Sequence, residues 1–261
     1  MTDKRVVLVT GGAAGIGEAV CMRLAADGMA VGVADINEAE AVRVAAAISD
    51  AGGEALAIHM DVSDEASVEA GFDELVERFG HLNYLVANAG IFIYGDFDSF
   101  SANDFAKIMS VNVDGTLFCC RAAARRMLAQ GGELGPYSIA ITTSEGSFAQ
   151  DPPSGAYITS KWAERGLMRS LARVLTPQGI TVNGVGPGSV YTALHKYVNE
   201  RFAEMNHMDL DKAAELFAKV RPVRGYQPAE EIAACFSYLL SDAARHVSGI
   251  TLMDNGGHVM V

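Results

Sequence analysis

Seven short runs of apolar residues recur along the chain, each with apolar side chains at consecutive positions. Runs of this kind are typical of strands that are buried on both faces of a parallel sheet. The predicted strands are Arg5–Thr10, Ala30–Asp35, Ala55–Asp61, Tyr84–Asn88, Ser138–Thr143, Thr181–Val185 and Gly249–Asp254. Longer segments with helical periodicity alternate with them: Gly15–Gly28, Glu38–Ala51, Asp64–Phe79, Asn103–Ala129, Gly155–Thr176, Thr192–Val220 and Ala229–Ser241. This alternation predicts a single α/β domain over residues 1–261, with a doubly wound, seven-stranded parallel sheet and helices on both faces.

The segment Thr192–Gln227 departs from this alternation, because it is long and lies between the sixth strand and the last helix. Segments that follow the carboxyl ends of parallel strands build the ligand site in such folds. One interpretation is therefore a mobile helical lid over a substrate, at about residues 192–227. The other is an additional helix that packs on the core or joins subunits, and the two are compatible.

Composition narrows the class of protein. Half of the 261 residues are apolar, which is too many for a disordered chain, yet no apolar run approaches the roughly 20 residues that span a bilayer. The opening MTDKRVVLVTGG lacks the pattern of a signal peptide, so we expect a cytoplasmic protein with no membrane partner. A net charge of −12 disfavours a nucleic-acid partner, which normally requires a basic surface. The four cysteines and six histidines show no metal-ligand spacing, and we expect no metal site.

A glycine-rich turn between the first strand and the first helix predicts a Rossmann-type dinucleotide site. It reads TGGAAGIG, with Gly11, Gly15 and Gly17 at positions where the backbone can turn sharply and approach a pyrophosphate. Asp35 closes the second strand, where a carboxylate can bind the ribose hydroxyls and would repel a 2′-phosphate. This position favours NAD over NADP. Asp61 closes the third strand, and either contacts the adenine edge or caps the following helix.

Tyr157 and Lys161 lie four residues apart in a predicted helix, so that their side chains share one face. Such a pair is often an ordinary surface contact. A nearby ammonium also favours the phenolate form of a tyrosine, whose free pKa is about 10, and would produce a proton-transfer group. The pair alone does not decide between these interpretations.

Taken in order, the motifs of the chain resemble those of the short-chain dehydrogenases/reductases, in their single-domain branch, over essentially its whole length. The motifs that carry the resemblance are the turn Thr10–Gly17, Asn88-Ala89-Gly90, Asn112 in MSVNVDGT, Ser144 in ITTSEGS, Tyr157 with Lys161, Pro187-Gly188 through Thr192, and SGITLMDNGG near the end.

The resemblance implies a role for each of four catalytic residues. Tyr157 would exchange a proton with the substrate hydroxyl, and Lys161 would lower the pKa of Tyr157 and bind the nicotinamide ribose. Ser144 would hold the substrate oxygen, and Asn112 would fix a water that links Lys161 to solvent. The residues expected to contact NAD are Gly11, Gly15, Ile16, Gly17, Asp35, Ile36, Asp61, Val62, Asn88, Ala89, Gly90, Tyr157, Lys161, Pro187, Gly188, Val190 and Thr192. The resemblance also implies a homo-oligomer, a tetramer formed through the helices Asn103–Ala129 and Gly155–Thr176.

The substrate is less constrained by the sequence. Besides Ser144 and Tyr157, the loops expected around the reacting carbon contain Glu145 and Gln150, with Tyr94 nearby. Glu145 either accepts hydrogen bonds from a second substrate hydroxyl or is a solvated loop acid. The first interpretation suits a small diol, polyol or hydroxyketone, and the layout of the lid segment resembles that of acetoin/butanediol and sugar-alcohol dehydrogenases. Two alternatives remain: an oxidoreductase of a bulkier cyclic or acyl ketone, and a non-catalytic NAD-binding sensor or scaffold.

Overall fold

A parallel sheet lies at the centre of the protein, and a computed structural model describes residues 4–95, 100–149, 155–219 and 221–261. Within these ranges seven strands form one sheet in the order β3-β2-β1-β4-β5-β6-β7. The strands are β1 (Val6–Thr10), β2 (Ala30–Asp35), β3 (Glu54–His59), β4 (Tyr84–Ala87), β5 (Tyr137–Thr142), β6 (Ile180–Pro187) and β7 (Thr251–Asp254). All neighbouring pairs are parallel. The predicted seven-stranded Rossmann-type sheet is thereby confirmed.

Helices flank the sheet. They are α1 (Gly15–Ala26), α2 (Glu38–Asp50), α3 (Glu65–Phe79), α4 (Ala102–Met109), α5 (Gly115–Ala129), α6 (Gly155–Leu175), α7 (Ala193–Met205), α8 (Leu210–Lys219) and α9 (Ala229–Leu239). In the described ranges no helix is both long enough and apolar enough to cross a bilayer.

Alternate residues of β1 belong to two different apolar clusters, one on each face of the sheet. Val6 and Leu8 pack in a cluster that includes residues of α3, α5 and α6. Val7 and Val9 pack in a second cluster, with residues of α1, α2 and α9. All four side chains are fully buried. Because successive side chains of a strand point to opposite faces, consecutive apolar positions are the sequence counterpart of this two-sided burial.

Two predicted helices are interrupted in the structure. The segment predicted as Asn103–Ala129 contains a π-helical stretch, Ser110–Asp114, between α4 and α5. The segment predicted as Thr192–Val220 forms α7 and α8, separated by a turn in which His207 has a φ of 50°. Apolar periodicity continues across both interruptions, so the sequence pattern did not reveal them. Extra turns of π-helix occur frequently at functional sites.

The strand order places a crevice at one edge of the sheet. From β1 the chain first builds outward through β2 and β3, and then returns to add β4 on the other side of β1. Ligands of doubly wound folds bind outside the carboxyl ends of the strands at such a reversal. The segments that follow β1, β4, β5 and β6 therefore converge at this edge.

Candidate active site

The turn after β1 forms one wall of a cavity of about 290 Å³. Gly11 and Gly15 have φ values of 62° and 57°, a left-handed conformation that side chains disfavour. A Cβ on Gly17 would overlap the carbonyl oxygen of Gly11. The turn opens into α1, whose N-terminus offers free N–H groups and a partial positive charge. This cradle, which a side chain would fill, fits the pyrophosphate of a dinucleotide.

Ten of the predicted cofactor residues line this cavity together. They are Gly11, Gly15, Ile16, Asp35, Asn88, Ala89, Gly90, Tyr157, Lys161 and Thr192. Pro187, Gly188 and Val190 lie beside it, lining a smaller adjoining cavity with Ile16 and Thr192. Gly17, Ile36, Asp61 and Val62 line neither cavity.

The Asp35 carboxylate connects the glycine-rich turn to the start of α2. One oxygen accepts a hydrogen bond from the Ala13 amide at 3.1 Å, and the other accepts from the Asn37 amide at 2.9 Å. Arg43 contacts the same turn through the Ala13 carbonyl at 3.3 Å, a neighbour that sequence reasoning missed. Its guanidinium is held by Glu18 at 2.9 Å and by a second acid on its own helix at 2.7 Å. The negative carboxylate thus lines the cavity, while the nearby cation is paired with acids.

Asp61 takes part in the turn before α3. Its carboxylate accepts from the backbone amide and the hydroxyl of Ser63, at 2.9 and 2.7 Å. Val62, the next residue, is buried against Gly115 at the start of α5. The N-cap of α3 is Asp64, so Asp61 does not cap that helix, and its contacts with Ser63 belong to the preceding turn.

The segment after β4 is fastened to the glycine-rich turn. The Asn88 amide donates to the carbonyls of Thr10 and Gly11, both at 3.1 Å, and accepts from Thr142 at 3.0 Å. The Thr10 hydroxyl in turn accepts from the backbone amides of Asn88 and Ala89. Three neighbouring strands are therefore held in register where the cavity begins.

Ser144, Tyr157 and Lys161 meet where β5 ends and α6 begins. The Lys161 ammonium donates to the Thr142 carbonyl at 2.9 Å and lies 5.6 Å from the centre of the Tyr157 ring. The Tyr157 ring packs on Phe92, with ring centres 4.7 Å apart. Ser144 and Tyr157 line the wall of a second cavity, described below. The predicted catalytic residues thus lie between the cofactor cavity and a second space.

The pKa of Tyr157 does not shift in the direction that the Tyr157–Lys161 pair suggested. Burial raises the pKa of the phenol above its ordinary value. Lys161 lowers it, as does a hydrogen bond from Ser144, but the carboxylate of Glu164 raises it further. Sequence reasoning missed Glu164, although its position three residues after Lys161 on a helix was the available signal.

Asn112 lies in the π-helical stretch, fully buried. Its side-chain nitrogen donates to the Ile91 carbonyl at 3.0 Å and to the Ser160 hydroxyl at 2.9 Å, and its oxygen accepts from the Ile91 amide at 2.8 Å. A Cβ on Gly90 would lie 3.4 Å from that oxygen and 3.7 Å from the Lys161 ammonium. Asn112 therefore ties the segment after β4 to α6 close to Lys161, and both of its amide donors are used within the protein.

A second cavity, of about 450 Å³, adjoins the first at Tyr157. Its apolar lining comes mainly from Phe92 and from α7 and α8, with Leu194, Val198, Phe202 and Leu216. Its polar lining comprises Ser144, Glu145, Tyr157, Ser189, His195, Arg221 and His258. Tyr94 is buried and packs on Phe92 instead of lining this cavity. Gln150, predicted to contact substrate, lies outside the described residues.

Glu145 is part of a charged cluster in this second cavity. One carboxylate oxygen lies 2.7 Å from a guanidinium nitrogen of Arg221, and the other lies 3.1 Å from Nδ1 of His258. Only 18% of the Glu145 side chain is exposed, so the solvated loop acid considered above does not describe it. No local sequence pattern reveals this cluster, because Arg221 and His258 lie 76 and 113 positions after Glu145.

Several proteins of known activity are similar to this chain. Levodione reductase of Leifsonia aquatica is 34% identical over 97% of this chain and 93% of that protein. L-2,3-butanediol dehydrogenase of Corynebacterium glutamicum is 32% identical over 97% of this chain and 98% of that protein. D-threitol dehydrogenase of Mycolicibacterium smegmatis is 30% identical, over 99% and 94% of the two chains.

Solved structures agree with the sequence similarities. The crystal structure of levodione reductase matches with a TM-score of 0.91 and 33% identity, over 98% of both chains. A 3-ketoacyl-(acyl-carrier-protein) reductase from Brucella melitensis, complexed with NADH, matches with a TM-score of 0.88 and 27% identity, over 98% of both chains. A variant of actinorhodin polyketide ketoreductase, with NADPH, matches with a TM-score of 0.94 and 28% identity, over 98% of this chain and 97% of that one.

A family model described as short chain dehydrogenase matches residues 5–203, from the first strand through most of α7. Proteins of this family are oxidoreductases that use a nicotinamide cofactor, a function for which the cavity beside the glycine-rich turn is suited. Because this model matches well over half of the chain and the relatives span nearly all of it, the protein belongs to the short-chain dehydrogenases.

Proposed function

We propose that this oxidoreductase uses NAD(H) to interconvert a secondary alcohol and a ketone, and that its substrate is a small polar diol, polyol or hydroxyketone. The observation that carries the proposal is that Tyr157 lines two neighbouring cavities. One contains the glycine-rich turn and Asp35, and the other contains the charged cluster of Glu145, Arg221 and His258.

Asp35 supports NAD over NADP. Its carboxylate lines the cofactor cavity and is fixed by two backbone amides. A carboxylate there accepts hydrogen bonds from ribose hydroxyls and repels a 2′-phosphate. The cation next to the turn, Arg43, already pairs with two acids and would have to leave them to bind a phosphate.

The bound cofactor would supply the acceptor or donor of a hydride, and the residues around Tyr157 would manage the proton. In alcohol oxidation, ionised Tyr157 accepts the proton of the substrate hydroxyl as the hydride leaves the carbon. Ser144 holds the same oxygen, and the Lys161 charge stabilises the phenolate. In ketone reduction, Tyr157 returns the proton to the oxygen.

The charged cluster supports a substrate with more than one polar group. Glu145 and Arg221 line the same cavity as Ser144 and Tyr157, so a bound alcohol would meet charged groups besides the two that contact its reacting oxygen. Carboxylate and guanidinium groups can bind a neighbouring hydroxyl or carbonyl oxygen of substrate. Among the relatives, the butanediol and threitol dehydrogenases are named for substrates of this kind.

A bulkier ketone is the second candidate, and the apolar side of the second cavity favours it. An apolar wall of this cavity could contact a substrate larger than a diol. It is formed by Leu194, Val198, Phe202 and Leu216. Levodione reductase and the polyketide ketoreductase, which are similar to this chain, are named for larger substrates.

The test is NADH formation, followed by absorbance, across a panel of small diols, polyols, simple secondary alcohols and hydroxysteroids. Tyr157→Phe is the control, and NADP replaces NAD in a parallel series. Turnover of a small diol or polyol with NAD, abolished in the variant, is the expected result. Turnover restricted to bulky apolar alcohols would contradict a small polar substrate and favour the second candidate, an oxidoreductase of a bulkier ketone. If no alcohol is turned over by the wild-type protein, and Tyr157→Phe still fulfils the protein's role in the cell, the non-catalytic NAD-binding sensor is favoured.

We propose that α7 and α8 form the substrate lid, because both contribute residues to the second cavity.

A cytoplasmic homotetramer is the assembly that the resemblance implies, with α4, α5 and α6 at its interfaces. Trp162 on α6 and Phe105 on α4 are 46% and 43% exposed in the single chain, which suits burial between subunits. Light scattering on a sizing column measures this directly, and a monomer would contradict it.

A further inference from the structure

Glu164 is a buried carboxylate beside the catalytic residues that the proposed mechanism does not use. It lies on α6, one helical turn after Lys161, and only 1% of its side chain is exposed. Its two oxygens lie 3.0 and 2.8 Å from the Lys161 ammonium. Only 4% of the Lys161 side chain is exposed. The pair is therefore an ion pair taken almost fully out of water.

A buried ion pair is costly to desolvate and is weak as a source of stability. Its position here suggests another role. The ammonium carries three N–H groups, and the Thr142 carbonyl and Glu164 both accept from it. Lys161 also lines the cofactor cavity. The two acceptors thus fix the direction in which the ammonium meets that cavity and its distance from Tyr157.

We propose that Glu164 is a positioning residue of the active site, which holds Lys161 in place and offsets part of the positive charge acting on Tyr157. Through Lys161 it sets the pH range in which Tyr157 accepts a proton from the alcohol. The proposal rests on the catalytic roles of Tyr157 and Lys161 proposed above.

The groups around Glu164 define the direction of the effect. The titratable or charged groups that interact with it in the described structure are Lys161 and Tyr157 on its own helix and the buried thiol of Cys120 on α5. Thr142, which β5 contributes, is neutral, whereas Glu145, on the loop after β5, is a further acid that raises the pKa of Tyr157. Burial raises the pKa of Glu164 to about 7, against the opposing effect of Lys161. Burial disfavours the charged form of Lys161, but Glu164 and Tyr157 together outweigh this effect, so that the pKa of Lys161 is raised.

The consequence for Tyr157 follows from charge alone. When Glu164 is ionised, it and Lys161 together are neutral, and the phenolate of Tyr157 has little net positive charge beside it. When Glu164 is neutral and Lys161 keeps its proton, the Lys161 charge acts on Tyr157 without compensation and favours the phenolate. The two protonation equilibria are therefore coupled, and removal of the Glu164 charge makes Tyr157 the stronger acid.

The first test uses cofactor-free protein and needs no turnover. The absorbance of ionised Tyr157 is isolated as the difference between each protein and its own Tyr157→Phe partner. In Glu164→Gln, which keeps the shape and removes the charge, we expect the Tyr157 midpoint to fall by about one pH unit, so that its ionised fraction below both midpoints rises about tenfold. Glu77→Gln, the same change at an exposed position on α3, is the matched control and leaves the absorbance unchanged.

The second test measures kcat/KM for alcohol oxidation as a function of pH. The limb that rises as Tyr157 ionises moves to lower pH in Glu164→Gln by a similar amount. A purely structural role would lower the rate equally at every pH and leave both midpoints in place, and that result would overturn the proposal. Absence of turnover in every protein refutes the proposed function, while the absorbance titration still decides the role of Glu164.

Glu164→Asp covers the case in which the glutamine variant does not fold. Aspartate keeps the charge but withdraws it from Lys161 by one methylene group. The Tyr157 midpoint of Glu164→Asp is then expected to lie between two values. One is the wild-type midpoint, and the other is the lower midpoint that Tyr157 would have beside a fully uncompensated Lys161 charge. A folded aspartate variant with the wild-type midpoint, beside a glutamine variant that does not fold, contradicts the proposal.

Discussion

Arg221 and Glu145 form a buried salt bridge across the second cavity, with a nitrogen–oxygen distance of 2.7 Å and exposed side-chain fractions of only 5% and 18%. Arg221 follows the α8 region, and Glu145 directly follows Ser144. One contact therefore connects the segment proposed as the lid to the loop that presents Ser144, for which we propose a catalytic role. We expect this contact to couple the geometry of the second cavity to the stability of the fold.

Arg221→Met is expected to destabilise the protein by about 3–5 kcal/mol, because Glu145 would keep a buried charge without its cation. Adding Glu145→Gln should recover part of this loss. The free energy of unfolding in urea measures both variants. Arg125→Met is the control, because Arg125 is 61% exposed and its ion pair at 3.3 Å contributes about 1 kcal/mol or less. A similar loss for both arginine variants would show that the buried pair adds nothing beyond a surface contact.

Asp35→Asn is expected to reduce the preference for NAD over NADP at least about tenfold, equivalent to 1.4 kcal/mol, since it removes the charge that repels a 2′-phosphate. The amide retains an oxygen for one of the two backbone contacts with Ala13 and Asn37. The ratio of kcat/KM for the two cofactors measures the preference. Asp61→Asn, in the turn that follows the neighbouring strand β3, should leave that ratio unchanged. Equal use of both cofactors by the wild-type protein would contradict the role given to Asp35.

The fold was largely predictable because it depends on the pattern of apolar residues within short segments of the chain. Consecutive apolar residues can be buried only when both faces of a strand are covered, and helical periodicity supplied the covering elements. The interruptions at Ser110–Asp114 and at His207 were not predictable, because the apolar pattern continues through them. They depend on packing across the sheet and not on the sequence of the segment alone.

The parts of the candidate site that were predictable are those whose residues lie close together along the chain. Tyr157 and Lys161 share a helix, and the glycine-rich turn lies directly between its strand and its helix. The contact between Glu145 and Arg221 joins positions that are far apart in the chain, and local periodicity cannot predict such a pair. Glu164 was within reach of helical spacing, but the depth of its burial, which decides its effect on Tyr157, is a property of the folded protein.

Gly17→Ala is expected to abolish cofactor binding, because the added Cβ would overlap the Gly11 carbonyl and lie 2.7 Å from the amide nitrogen of Asn88. Gly166→Ala is the matched control within α6, where no atom lies within 4 Å of the added Cβ. The control should raise the free energy of unfolding by about 0.5–1 kcal/mol, since alanine is the better helix former. Fluorescence titration with NADH measures binding. Normal binding by Gly17→Ala would mean that the turn can relax without loss of the cradle.

His195 makes the protein sensitive to mild acid. Burial, together with the smaller effect of the positive charge of Arg221, lowers the pKa of His195 to about 4. Between pH 4 and about 6.5, the ordinary value, the unfolded chain binds the proton and the folded protein does not, so stability contributed by neutral His195 is lost as pH falls. Relative to His195→Gln, the wild type is expected to lose about 2 kcal/mol of unfolding free energy between pH 7 and pH 5. His246→Gln, at an exposed position, should run parallel to the wild type. Urea unfolding at the two pH values measures the difference, and parallel curves for the wild type and His195→Gln would show that His195 takes up its proton without cost in the folded protein.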